Sequence, residues 1–299
     1  MSPVHNTAIG LSSLSSAIIP LFLGFMSLLY LHNWCCVRRA SANAIRGWRL
    51  ASFLFGLSLI WVALGSPLVA YDHELLTVHM IQHLLLMTFA PALVLLGEPL
   101  LVFLNRLQRS VKGRRDFLVQ KAWVRGFNRT LSRPTMCWIV SALTLIGWHV
   151  PALFDLAMHS EVWHSVEQAS FLGAGLLFWW PVVQPWPSAS AGPQWSTLIY
   201  LFLATLPCDI LSGLLAFSDR VAYPVYFSMP RHFGFSVLED QQCAAALMWT
   251  CVTLAYLVPA AILVTRLLSS PSAYHDESLE VELRGRAASR MGSRRLEAV

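Results

Sequence analysis

The chain has 299 residues, of which 56% are hydrophobic and only 12% charged, with a net charge of +5. Soluble domains carry roughly 25% Asp, Glu, Lys and Arg, so an ordinary soluble enzyme is excluded. Several apolar runs reach about 20 residues, enough to cross a bilayer as a helix, which also excludes a disordered chain, a disulfide scaffold and a collagen-like fibre.

Taken in chain order, the apolar runs predict an all-α polytopic membrane bundle of seven transmembrane helices. They lie near 13–34, 47–70, 75–103, 134–155, 164–184, 196–217 and 242–268. The first run is expected to be retained rather than cleaved at Ala40-Ser41-Ala42. No positive residue precedes it, it is long for a signal core, and Arg38 and Arg39 follow it. Residues 1–268 are thus read as the membrane domain, with a basic loop at 104–133 inside it and a polar, mobile cytoplasmic tail over 269–299.

The basic residues alternate between successive connections. Nineteen of the 21 Lys and Arg fall on one side if odd-numbered crossings run inward, which places the N-terminus outside and the C-terminus inside. The positive charge is therefore explained by topology, and no nucleic-acid partner is expected. The loop 104–133 interleaves its basic residues with Phe117, Trp123 and Phe127. Its simplest role is to set topology, and its composition also suits an interfacial helix on anionic membrane lipid.

Ionisable groups inside a span cost roughly 2.5–3.5 kcal/mol each on insertion scales, so each needs a reason. His79 and His83 on the third run lie some 6–12 Å below the expected outer end, at about 1.5 Å per residue. His149 on the fourth run, Asp209 on the sixth, and the openings of the fifth (His164, Glu167, Gln168) and seventh (Asp240, Gln241, Gln242) share that layer. His73, His159 and His232 fall in the outer loops. The inner half contributes little besides Glu98, which is expected to pair with Arg106.

His79-Met80-Ile81-Gln82-His83 carries the clearest chemistry. Spacing of i and i+4 puts both imidazoles on one helical face, able to chelate one metal, and Met87 extends that face with a soft thioether suited to Cu(I). The same spacing also occurs in purely structural histidine pairs. His149 sits in Trp148-His149-Val150-Pro151, where Pro151 removes a backbone donor and can open the helix. It reads equally as an interfacial anchor. His164 and Glu167 could ligate metal or orient a ligand, or simply begin a helix with an acidic first turn. Cys208 and Cys243 could offer thiolates, although buried Cys usually packs as a small apolar residue. Met80, Met87 and Asp209 are weaker candidates. No phosphate loop, nucleophile elbow or zinc-protease motif is present, so the chain is not expected to be an enzyme.

His79-Met80-Ile81-Gln82-His83, Ala90-Pro91 and Leu96-Gly97-Glu98-Pro99 together resemble the polytopic CtaG family, assembly factors of caa3-type cytochrome c oxidase. The likeness continues through Trp148-His149-Val150-Pro151, Glu167 to Phe171, Phe178-Trp179-Trp180-Pro181, Asp240-Gln241-Gln242 and Leu247-Met248-Trp249. It implies a seven-span protein of the bacterial plasma membrane that helps mature the oxidase through its copper centres, with oxidase subunits as partners. In the family pattern a His often follows the Glu of the fifth span, where this chain has Gln168. With that ligand missing, the chain either uses fewer imidazoles or recruits His164. The expectation is copper, as Cu(I), held by His79, His83, His149 and His164. The rival readings are a bis-His haem protein and a metal-free scaffold for oxidase subunits.

Overall fold

The computed structural model describes residues 3–40, 46–103, 133–183, 194–230 and 234–269. The basic loop with Phe117, Trp123 and Phe127, the tail, Arg106 and His232 lie outside the described residues. Those that are described form helices and connections with no strand among them. The helices are α1 (Pro3–Ala40), α2 (Gly47–Gly65), α3 (Leu76–Leu84), α4 (Ala90–Leu96), α5 (Pro134–His149), α6 (Pro151–His159), α7 (Glu161–Val183), α8 (Gln194–Ala216) and α9 (Val237–Ser269). The chain divides into two compact units, Met1–Leu257 and Val258–Val299. Every residue of the site described below belongs to the first.

Five stretches are long and apolar enough to cross a membrane: Ile18–Arg39, Gly47–Tyr71, Leu76–Phe103, Trp195–Ala216 and Val237–Ser269. A sixth is obtained if α5 and α6 count as one span, although they meet at a 73° bend. The fourth expected span is therefore broken. Pro151 pushes the residue before it out of the helical region, and Val150 is extended at φ −67° and ψ 124°. The break leaves the His149 carbonyl free to accept a hydrogen bond from Tyr223 Oη at 3.1 Å. α7 is not among the apolar spans, since Glu161, His164, Glu167 and Gln168 fill its first two turns.

Outward-facing side chains explain how so apolar a chain persists. On α8, Ile199, Phe202, Leu206, Ile210 and Leu214 are all exposed at helical spacing. A stripe of that size is a liability in water and suits a lipid surface. On α1, Leu23, Tyr30 and Val37 turn inward every seven residues, while Leu21, Phe25 and Leu28 face out.

Tyr30 stacks on Phe53 of α2 at 3.9 Å between ring centres, and its hydroxyl donates to the Gly97 carbonyl at 2.6 Å. Ser52 Oγ donates to the Leu93 carbonyl at 2.8 Å. Glu98 pairs with Arg49 of α2, while the expected partner Arg106 lies outside the described residues. Glu98 does so from a left-handed backbone, φ 50°, a conformation that costs about 1–2 kcal/mol for a residue with a Cβ.

The third span is not a regular helix. Between α3 and α4, Leu85–Phe89 forms a π turn. Pro91 has no N–H to offer the carbonyl four residues back, so the ladder widens just before it. The Ala90 N–H reaches the Leu85 carbonyl instead. Gly175 of α7 packs directly against this turn. A Cβ there would lie 2.5 Å from the Met87 carbonyl oxygen and 2.8 Å from the Met87 Cα. Gly175→Ala is therefore expected to destabilise the fold by about 1–3 kcal/mol, the usual cost of overpacking. Thermal unfolding in detergent would show it, with Gly173→Ala, whose Cβ meets nothing within 4 Å, as the matched control.

Candidate metal centre

His79 and His83 lie one turn apart on α3, and both rings turn into the bundle rather than toward lipid, at 0% and 5% exposure. Their Nε2 atoms face each other at 2.7 Å. Glu167, on the second turn of α7, brings Oε1 to 3.6 Å from His79 Nε2 and 3.3 Å from His83 Nε2. One nitrogen from each ring and one carboxylate oxygen thus converge, all within 4.8 Å of one another and all buried.

The surroundings hold these three side chains in place. Asp240, in the first turn of α9, caps α3 from a neighbouring helix. Its carboxylate accepts from the Leu76 N–H at 2.7 Å, the Thr77 N–H at 3.1 Å and the Thr77 hydroxyl at 2.6 Å. These are orphan donors of a helix start, which an acidic side chain satisfies well. Gln241 beside it accepts from the Ala222 N–H at 2.7 Å and donates to the Leu215 and Arg220 carbonyls, tying down the segment after α8. On α7, Ser170 donates to the Glu167 carbonyl and accepts from the Trp148 indole, both at 2.7 Å. Phe171 lies 4.1 Å from the His83 ring and 6.5 Å from the His149 ring. Phe154 of α6 closes over His79 at 5.1 Å.

Other polar atoms of the cluster and its neighbours are under-bonded. His79 Nδ1, His83 Nδ1, Gln82 Oε1, Glu167 Oε2 and Asp72 Oδ1 are buried with no hydrogen-bonding partner among the described residues. Each such group costs roughly 1–3 kcal/mol. A buried carboxylate costs more unless a positive charge answers it. Two nitrogens and an oxygen converging on one point fit a bound transition-metal ion, provided the His79–His83 contact opens from 2.7 Å toward the ~3.4 Å between tetrahedral ligands.

The other candidates are distributed unevenly. The His164 ring stacks on that of His79 at 5.5 Å and 15°, but its Nε2 belongs to a second group with Asp72 and His73. His149 stands outside both groups. Its Nδ1–H donates to the Leu145 carbonyl at 2.8 Å, and its Nε2 has no hydrogen-bonding partner among the described residues. With His83, Met80, Met87, Met248 and Cys208 it lines a largely apolar pocket. Asp209 lies outside that pocket and outside both groups. Cys243 is exposed, and all six cysteines are free.

Glu167 was visible in the sequence as a possible ligand or orienting group, and the geometry puts it against both imidazoles. Asp72 was missed. Its only sequence signal is a carboxylate beside a histidine in a short connection between apolar runs. It is nonetheless fully buried, with its backbone carbonyl accepting from Tyr226 Oη at 3.2 Å. Burial raises the Tyr223 and Tyr226 phenols well above their ordinary range, so both remain donors at any physiological pH.

Apolar helices enclosing a buried histidine–carboxylate cluster define a helical membrane protein with a candidate metal centre. Residues 28–270 match the family described as cytochrome c oxidase caa3 assembly factor, and the chain belongs to that family. It is also similar to uncharacterised proteins of Mycobacterium bovis and Mycobacterium tuberculosis, each 26% identical over 249 residues, which cover 81% of this chain and 37% of the relative. A Mycobacterium leprae protein is 25% identical over 237 residues, covering 77% of this chain and 35% of its own length. The chain therefore spans little more than a third of these relatives. No solved structure matches it.

Removing the cap that starts α3 should loosen the centre without touching a ligand. Asp240→Ala leaves the Leu76 and Thr77 donors unanswered and is expected to cost about 1–3 kcal/mol, read as a fall in thermal stability. Asp240→Asn, which keeps one acceptor oxygen, should recover part of it.

Proposed function

We propose that this protein holds copper at the outward-facing end of a seven-crossing bundle in the bacterial plasma membrane and passes it on for the copper centres of a caa3-type oxidase. Oxidase subunits are then its partners. On this reading the bent pair α5–α6 is the fourth crossing and α7 the fifth, with the N-terminus outside and the C-terminus inside. Nineteen of 21 basic residues fall on the inner side in that arrangement. α7 can cross despite its polar first turns because Glu167 and His164 face the bundle at 1% and 8% exposure.

The observation that carries the proposal is the convergence of His79, His83 and Glu167 in the buried interior. Two neutral imidazoles and one carboxylate bear a single negative charge, so a monovalent ion such as Cu(I) leaves the site neutral, as burial favours. Three protein donors also leave a coordination position open, which suits exchange with an acceptor better than a closed four-ligand site. The oxygen donor is harder than the histidine–thioether set expected from sequence. Soft donors stand close by, since Met80, Met87, Met248 and Cys208 line the pocket that His83 also borders. The chemistry is ligand exchange rather than catalysis. Haem ligation by His79 with His164 across helices is disfavoured by their placement, because the two rings stack face to face at 5.5 Å instead of flanking a macrocycle.

Purified protein reconstituted with Cu(I) should carry about one tightly held copper per chain at the inner cluster. His79→Ala combined with His83→Ala should lose it, and Glu167→Gln should weaken it by about 10–100-fold. Equal copper in wild type and double variant would remove the proposal. Full rescue of oxidase assembly by the double variant in a deletion strain would favour a metal-free scaffold.

A further inference from the structure

We propose that Asp72, His73 and His164 form a second transition-metal site at the rim of the buried one, through which the ion is exchanged with His79, His83 and Glu167. The inference rests on reading that inner cluster as a metal centre. His73 Nε2 lies 3.7 Å from Asp72 Oδ1, and His164 Nε2 lies 3.8 Å from Asp72 Oδ2. One ligand atom from each residue falls within 4.8 Å of the others. These separations exceed hydrogen-bonding distance, so the nitrogens and the carboxylate face one another without bonding. They are close to the ~3.4 Å between ligands of a tetrahedral ion with metal–nitrogen bonds of about 2.0–2.1 Å.

Asp72 adds an independent sign. Its side chain is fully buried, yet Oδ1 has no hydrogen-bonding partner among the described residues. The Gln82 amide donates to Oδ2 at 3.2 Å, and Tyr226 fixes the backbone carbonyl. The carboxylate is therefore held in position with one oxygen left to answer a cation. The Gln168 amide, 3.3 Å from His164 Nε2, makes a long contact that an ion would displace.

The two groups are joined. The His164 ring stacks on His79 at 5.5 Å, and Gln82 lies on α3 between His79 and His83. Side-chain exposure falls from 44% at His73 to 10% at His164 and 0% at both Asp72 and His79. A hydrated ion arriving at His73 can thus trade water for protein donors in steps instead of all at once. The imidazole–carboxylate sets of both groups accept several first-row ions, so Co(II) reports on each through its visible spectrum.

The test is a Co(II) titration of the full chain in detergent, with stoichiometry and loading rate as readouts. Wild type should bind about two Co(II). His73→Ala, at a half-exposed position, should bind one and load it roughly tenfold more slowly, and Asp72→Asn should behave likewise. His79→Ala with His83→Ala should keep the outer ion and lose the inner one. A wild type that binds a single Co(II), lost in the double variant and loaded at the same rate by His73→Ala, would overturn the second site and leave the inner one standing. No Co(II) bound by wild type would overturn both. Cobalt retained in full by the double variant would instead sink the inner assignment, and with it the exchange between sites.

Discussion

Burying one carboxylate against two imidazoles fixes how the helices around it must be rotated. Glu167 can meet both His79 and His83 only if α3 and the start of α7 turn their polar edges toward each other. Polar side chains facing lipid would carry the full insertion cost, so no rotation that separates them is tolerable. The neighbouring elements follow from that demand. Gly175 lets α7 approach the third span closely enough, and Trp148 and Ser170 hold the Glu167 turn. Asp240 starts α3 at the right height. Much of what the family resemblance picks out as motif is this supporting frame, and comparatively little of it touches the centre.

The histidine pair was legible because i and i+4 spacing survives any rotation of the helix. Glu167 was visible but ambiguous, since an acid in the first turns of a helix has an electrostatic reason to be there without any ligand role. Asp72 left almost no trace. Short connections are normally solvated, and nothing in the sequence says that Tyr226 and Gln82 bury this one. The Arg49 partner of Glu98 was not legible, because nearness along the chain does not reveal a cation brought in by the preceding helix. The break at Pro151 was legible as chemistry but not as angle. The run at 164–184 was read as a span, yet the polar first turns of α7 keep it outside the stretches long and apolar enough to cross.

Donor character separates the geometry from the expected site. Sequence spacing favoured sulfur beside nitrogen, with Met87 on the histidine face. That extrapolation assumed an unbroken α-helix, and the π turn begins at Leu85. What converges on the imidazoles is oxygen, while the thioethers of Met80, Met87 and Met248 gather along an apolar pocket next door. Oxygen at the imidazoles and thioethers along the adjoining pocket thus separate hard from soft donors in space.

The widened turn at Leu85–Phe89 also acts as a phase shifter. It inserts an extra residue relative to the α-helical ladder, and one residue corresponds to about 100° of rotation. Before it, the third span addresses α7 through its imidazoles. After it, the same strand of chain addresses α1 and α2 through Leu93, Gly97 and Glu98. Shortening the turn by a single amino acid would leave composition and hydropathy nearly untouched, yet it would swing one half of the span a quarter-circle or more against the other. The two ends of this segment are thus geared to each other through one local irregularity, and deletions there should be far less tolerable than substitutions.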